Sequence, residues 1–236
     1  MRFCPYPGFT IAAIILTAIL MGLGVWQLQR LTWKEALIAT VNGHMAAAPV
    51  TLNQALAMSA DDAQYRKVAL DGHFDNSREA YVFSTGAGGD PVYHVLTPFI
   101  TGDGRTLMVD RGEIPQSKLS PRSRAAVEGE TRLVGVWRVP DGPGPFTPKP
   151  DPEKHIWYAR DLSGIAAADG VKLAAPVVIE ADSTPNPGGW PKGGQTVVDF
   201  PNNHLSYALT WFGLAAALLG VYFPYHVSRG RLGPLF

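Results

Sequence analysis

The stretch Pro201-Asn202-Asn203-His204-Leu205-Ser206-Tyr207-Ala208-Leu209-Thr210-Trp211-Phe212 decides the fold, because here a polar segment carrying His204 runs directly into an apolar helix. No charged residue occurs from Leu205 to Phe223. At about 1.5 Å of rise per helical residue, that run covers most of a hydrocarbon core roughly 30 Å thick, and it reads as a membrane span. A histidine on the first turn of such a span lies where lipid meets water. There it can stay neutral and offer a ring nitrogen to a metal. A histidine hydrogen-bonded to a lipid headgroup or a loop has the same spacing.

His204, Tyr207, Ala208 and Trp211 follow i, i+3, i+4, i+7 and share one helix face. A flat ligand coordinated by His204 would lie over the gap at Ala208 and against the two rings, in the manner of haem pockets built between helices. An interfacial aromatic belt shows the same period.

At the other end of the chain, Phe9 to Trp26 is also free of charge and long enough to span. A cleaved signal peptide is the rival reading. The run exceeds the usual apolar region of such a peptide, and no small-x-small site follows it directly, so an uncleaved anchor is expected. Arg2, Arg229 and Arg231 place both tails in the cytoplasm by the positive-inside rule, and the middle domain in the periplasm of a bacterial inner membrane. The predicted organisation is a tail over 1–8, a first span over 9–26 with its helix continuing to about 42, a β-rich domain over 27–203, a second span over 204–223 and a tail over 224–236.

Ala18 with Gly22, and Gly213 with Ala217, have the i, i+4 spacing that lets transmembrane backbones approach closely. Packing of the two spans would bring Trp26, Gln27 and Arg30 near His204. Arg30 is suited to grip an anionic carboxylate through its planar fork, or else to snorkel beside lipid phosphate.

Between the spans, Val68–Leu70, Ala80–Phe83, Val92–Ile100, Thr106–Val109, Thr131–Trp137, His155–Ala159 and Pro176–Ile179 read as strands. They are short β-branched or aromatic runs separated by Gly, Pro, Asp and Asn. The fold class expected is a membrane α+β chain, with two transmembrane helices flanking a mainly antiparallel β domain that carries a few short helices. Thr51 reads as the N-cap of a short helix through Met58. Asp161–Asp169 and Ser120–Ala126 are the other helical candidates. Pro140–Pro152 and Ser183–Gly194 are loops, the second carrying Trp190, which would cap a ligand, touch a partner or, as is commoner for a surface Trp, pack on its own domain.

Zero net formal charge gives no sign of a nucleic-acid partner. Cys4 is the single cysteine, which excludes an intramolecular disulfide and any paired-cysteine metal or redox site. Gly86-Ala87-Gly88-Gly89 lacks the third glycine of a dinucleotide loop and is followed by Pro91, so it is a turn. No Gly-x-Ser-x-Gly elbow or His-Glu-x-x-His helix occurs. Asp110 and Arg111 point to opposite faces of a strand and suit a structural role. His44, His73, His94 and His155 are scattered, and His226 lies about 33 Å along the helix from His204. Nothing here points to an enzyme.

Asn202-Asn203-His204-Leu205-x-Tyr207-Ala208-x-Thr210-Trp211-Phe212 closely resembles the signature of the surfeit-locus-one, or Shy-type, family of cytochrome c oxidase assembly factors. Other segments agree in order: Gly24-Val25-Trp26-Gln27-Leu28-Gln29-Arg30 with Trp33-Lys34, Tyr65-Arg66-Lys67-Val68, Gly72-His73-Phe74, Tyr93-His94-Val95-Leu96-Thr97-Pro98-Phe99 and Val109-Asp110-Arg111-Gly112. Glu113 departs from the aromatic residue usual after that last motif. The resemblance implies a membrane-anchored factor that binds haem a and assists its insertion into the catalytic subunit of a haem-copper oxidase, with haem a synthase as a second partner. It implies His204 as the axial ligand to haem iron. Tyr207, Trp211, Trp26 and Arg30 are candidates for cofactor contact from helix geometry. The alternative keeps the architecture as a haem-free tethered scaffold for an oxidase intermediate.

Overall fold

The computed structural model describes residues 2–233 apart from 87, 197 and 199, so the turn expected at Gly86–Gly89 lies partly outside the described residues. The chain divides into two units, one made of the chain up to Thr40 and from residue 199 onward, the other Val41–Val198.

The first unit is an antiparallel helix pair. β1 (Arg2–Phe3) precedes α1 (Pro7–Ala46), which opens on Pro7, whose fixed φ and missing N–H suit the first helical position. The stop expected at Asn42–Gly43 is passed by a turn. A single glycine costs a helix only about 1 kcal/mol, whereas Pro49 disfavours helical geometry in the residue before it. α5 (His204–Ser228) runs back to β10 (Leu232–Gly233), which pairs with β1.

Thr10, Ala13, Thr17, Leu20, Gly24 and Gln27 recur every three or four residues as the less exposed stripe of α1, and Ala208, Trp211, Ala215, Leu218 and Tyr222 form that of α5. Such spacing gives ridges-into-grooves packing of antiparallel helices. Thr10 Oγ1 lies 2.8 Å from the Tyr222 hydroxyl, and a Cβ on Gly24 would meet the Phe212 ring. The small residues singled out above are not the contact. Ala18, Gly22, Gly213 and Ala217 are exposed, and a Cβ on Gly22 or Gly213 would touch nothing within 4 Å. The small residues of α1 that are buried, Ala13 and Gly24, are eleven positions apart, three full turns on one face. Ile11, Ile14, Ile15, Leu16, Ile19, Leu209, Leu214 and Val221 point outward instead. Both helices are long and apolar enough to cross a membrane.

In the second unit, β2 (Val50–Thr51) leads into α2 (Leu52–Ala57). Thr51 caps it, and the side chains of Thr51 and Gln54 close a reciprocal capping box. α3 (Ala60–Ala63) follows, then β3 (Lys67–Phe74), β4 (Ala80–Thr85), β5 (Pro91–Thr101), β6 (Thr106–Pro115), β7 (Thr131–Arg138), β8 (Ile156–Trp157), α4 (Leu162–Asp169) and β9 (Val178–Ala181). Ser120–Ala126 forms only a 3-10 turn at Pro121–Ser123, because Pro121 opens a turn that Arg124 ends in extended geometry. The strand expected over His155–Ala159 shortens to β8, since His155 adopts a left-handed conformation.

β3, β7, β9, β6 and β5 close into a barrel, as β3 pairs with β7 along one edge and with β5 along the other. Gly72 permits the closure: a Cβ there would lie 2.1 Å from the Ile100 carbonyl oxygen. All barrel pairings are antiparallel except β6 with β9. Val68, Leu70, Phe99, Leu107, Val109 and Ile179 belong to the main core, where Phe74 and Phe99 meet edge-on at 4.9 Å. Met108, Val178 and Leu96 face Leu162 and Ile165 of α4 in a second core. β6 is therefore buried on both faces, which is why it lacks alternation.

Candidate functional site

α5 begins at His204, and Asn203 at its N-cap makes no side-chain capping bond. The first turn therefore keeps N–H groups without a side-chain acceptor, at the positive end of the helix dipole. His204 is half-buried. Its Nδ1 lies 2.8 Å from Gln27 Oε1 on α1. With the amide oxygen accepting, Nδ1 carries the proton, and the lone pair resides on Nε2, for which no partner is seen among the described residues. This is the arrangement in which an outer hydrogen bond fixes the orientation of a metal-ligating imidazole.

Trp211, two turns along the same face, is partly buried, and its indole N–H has no partner among the described residues. Tyr207 and Trp26 are each about half exposed, at 55% and 51%. Arg30 lays its guanidinium over the Trp33 ring at 4.2 Å, and Lys34 stands 5.0 Å from the Phe200 ring. Of the residues proposed from the sequence, only Gln27 is seen, among the described residues, to hydrogen-bond the His204 side chain. The specific pairing was not legible there, since helical spacing places Gln27 on α1 without saying which residue of α5 it meets.

The remaining histidines are each engaged. His226 is fully buried at the other end of α5 among Tyr6, Phe9, Tyr222 and Tyr225. Its Nδ1 donates to the Tyr222 carbonyl at 2.9 Å, and its Nε2 accepts from the Tyr6 N–H at 3.4 Å. His44 pairs with the Gln64 carbonyl, His73 with Glu130 and His155 with Asp169. Trp190 packs on the β domain beside Tyr93 and Ile114, with the Lys192 ammonium over its ring.

The motif residues Asp110 and Arg111 occupy opposite faces of β6 and enter separate charge networks. Asp110 is buried, 3.0 Å from His94 Nδ1 and 2.7 Å from Arg160 Nη2. Burial alone would raise its pKa, but the His94 hydrogen bond and charge, with Arg160, bring it down to about 2. Burial likewise opposes charge on His94, yet Asp110 outweighs it and the His94 pKa stands above its ordinary value. Glu180 extends the network to Thr196, which donates at 2.7 Å. Among the described residues no group of three His, Cys, Asp or Glu side chains is arranged to hold a metal.

A profile of the SURF1 family matches residues 14–216. The chain belongs to the SURF1 family. That is the surfeit-locus-one family of oxidase assembly factors whose signature surrounds His204. Surfeit locus protein 1 of Mus musculus is 38% identical over 237 aligned residues, covering 92% of this chain and 75% of that protein. Surfeit locus protein 1 of Homo sapiens is 37% identical, with 86% and 72% covered. A SURF1-like protein of Drosophila melanogaster is 32% identical, with 92% and 77% covered. The family match thus includes Gln27 and His204 together.

Proposed function

We propose that this SURF1-family chain is a membrane-anchored biogenesis factor that carries haem a to the catalytic subunit of a haem-copper oxidase. Haem is cargo in this reading, and no bond is made or broken by the protein. The observation that carries it is the Gln27–His204 hydrogen bond, which holds the imidazole by Nδ1 on a half-buried first helical turn and leaves Nε2 without a partner among the described residues. The residues present fit the group. Nε2 would take the iron, the indole N–H of Trp211 has no partner among the described residues, and the uncapped start of α5 suits an anionic propionate. Tyr207 and Trp26 offer ring surface, and Arg30 a guanidinium for the second carboxylate.

The exposed isoleucines and leucines of α1 and α5 support a membrane setting, because helices apolar on their outward faces need an apolar solvent. Arg2, Arg229 and Arg231, beyond the two apolar runs, support a β domain on the periplasmic side of a bacterial inner membrane. Haem a synthase is a further partner in this scheme, as the source of the cargo.

A haem-free scaffold is the second reading. The same Gln27–His204 bond favours it, since side-chain hydrogen bonds between helices act as glue in lipid. Purification of the full chain from cells that make haem a separates the two. A Soret band that disappears in His204→Ala, with unchanged thermal melting, is the outcome expected of the carrier. A colourless wild-type protein that still captures the oxidase subunit overturns it.

A further inference from the structure

Arg111 and Arg124 converge on one carboxylate. Arg111 Nη1 lies 3.2 Å from Glu79 Oε1 and Arg124 Nη2 lies 2.6 Å from Oε2, with the three side chains only 3%, 4% and 8% exposed. The Tyr81 hydroxyl joins the cluster at 3.0 Å from Glu79 and 3.1 Å from Arg124. Burial, reinforced by the Glu79 charge, raises its pKa far above the ordinary phenol value, so it adds no negative charge. Asn76 accepts from Arg111 at 3.1 Å and is neutral. On the adjoining turn Arg78 and Asp75 pair with each other. The cluster therefore holds two buried cations against one anion.

Three nitrogens, Arg111 Nε and Nη2 and Arg124 Nε, are buried without a partner among the described residues. The Phe74 ring beneath the Arg111 guanidinium, 4.7 Å away, accounts for part of the stabilisation of that charge. A ring quadrupole does not neutralise it. A cleft of about 40 Å³ lies against Asn76, Glu79, Arg111 and Arg124, which is room for more than a single water. Arg111 also borders a wider cleft of about 230 Å³ beside Phe74, Val127 and Asn186.

We propose that the small cleft between Arg111 and Arg124 binds a monovalent inorganic anion of the size of chloride. One negative charge balances the cluster, and a buried charge left unbalanced is costly. The site lies wholly in the β domain and does not depend on haem.

The test is thermal melting of the purified full chain at constant ionic strength, with chloride replacing gluconate, which is too large to enter. Wild-type protein is expected to gain roughly 3–5 °C for each tenfold rise in chloride above half-saturation. Bromide is expected to act likewise and to give an anomalous scattering peak between the two guanidiniums. Arg124→Met, which leaves Arg111 and Glu79 balanced, is expected to lose the dependence, and Arg124→Lys, which keeps the charge, to retain it. A wild-type melting temperature indifferent to halide overturns the proposal whether or not Arg124→Met folds. So does an unchanged chloride dependence in Arg124→Met.

Discussion

The side-chain oxygen of Gln27 sits 2.8 Å from Nδ1 of His204, tying α1 to α5 across 177 positions of sequence. The bond sets which imidazole nitrogen is protonated and leaves the other with its lone pair. If that nitrogen takes iron, Gln27 acts as a positioning residue. Gln27→Leu is expected to weaken haem binding about 10–100-fold, read by titration of the purified chain. Affinity equal to wild type would show that His204 needs no such orientation.

Close approach of the two helices depends on Gly24, where a Cβ would stand 2.4 Å from the Phe212 ring, in contrast to Gly22, where nothing lies within 4 Å. Gly24→Val is therefore expected to cost about 1–3 kcal/mol through overpacking, and Gly22→Val to be nearly silent. Melting of the two variants in the same detergent makes the comparison. Equal losses would mean that the Gly24 face is not the packing surface.

The His94–Asp110 pair makes stability depend on pH in both directions. Asp110, lowered from 3.8 to about 2, contributes above its unfolded value, and that contribution is lost as pH falls through the folded one. His94, raised above 6.5, contributes fully below its unfolded value, and that contribution is lost as pH rises through the folded one. The pair is thus most stabilising between about pH 4 and 6.5. Asp110→Asn leaves Arg160 and His94 without their buried anion and is expected to cost about 3–5 kcal/mol. NMR titration of the His94 ring is expected to give a lower pKa in that variant than in wild type.

Gly112 holds φ at 115°, and a Cβ on it would fall 1.9 Å from the Lys192 carbonyl oxygen, where β6 meets Lys192 through Glu113. Gly112→Ala meets both a forbidden backbone angle and a backbone clash. It is expected to lower the melting temperature markedly, whereas Gly102→Ala, with open space around it, is expected to change it little.

Local chemistry was readable wherever a residue acts on its neighbours. Thr51 marks the start of α2 because capping is decided within one turn, and the helix expected over Asp161–Asp169 forms with Asp161 as its cap. Asp110 and Arg111 were separated to opposite faces by the two-residue period of a strand. Ser120–Ala126 misled because its composition admits a helix and only the neighbouring contacts, with Arg124 drawn to Glu79, select an extended chain. The stripe at Ala18 and Gly22 misled for a related reason. Small residues permit close packing on any face that carries them, and the partner helix chooses the face.

The sequence by itself determined the two charge-free apolar runs, Phe9–Trp26 and Leu205–Phe223, the short strands between them, the position of His204 at the head of α5 and the family to which the chain belongs. The first three follow from composition or spacing within a single element, and the family from motifs read in order along the chain. Only the tertiary structure decided that the strands close into a barrel, that Gln27 is the residue facing His204, and that two buried arginines share one glutamate. Those are relations between distant segments, fixed by packing and charge balance in three dimensions, and no periodicity along one element encodes them.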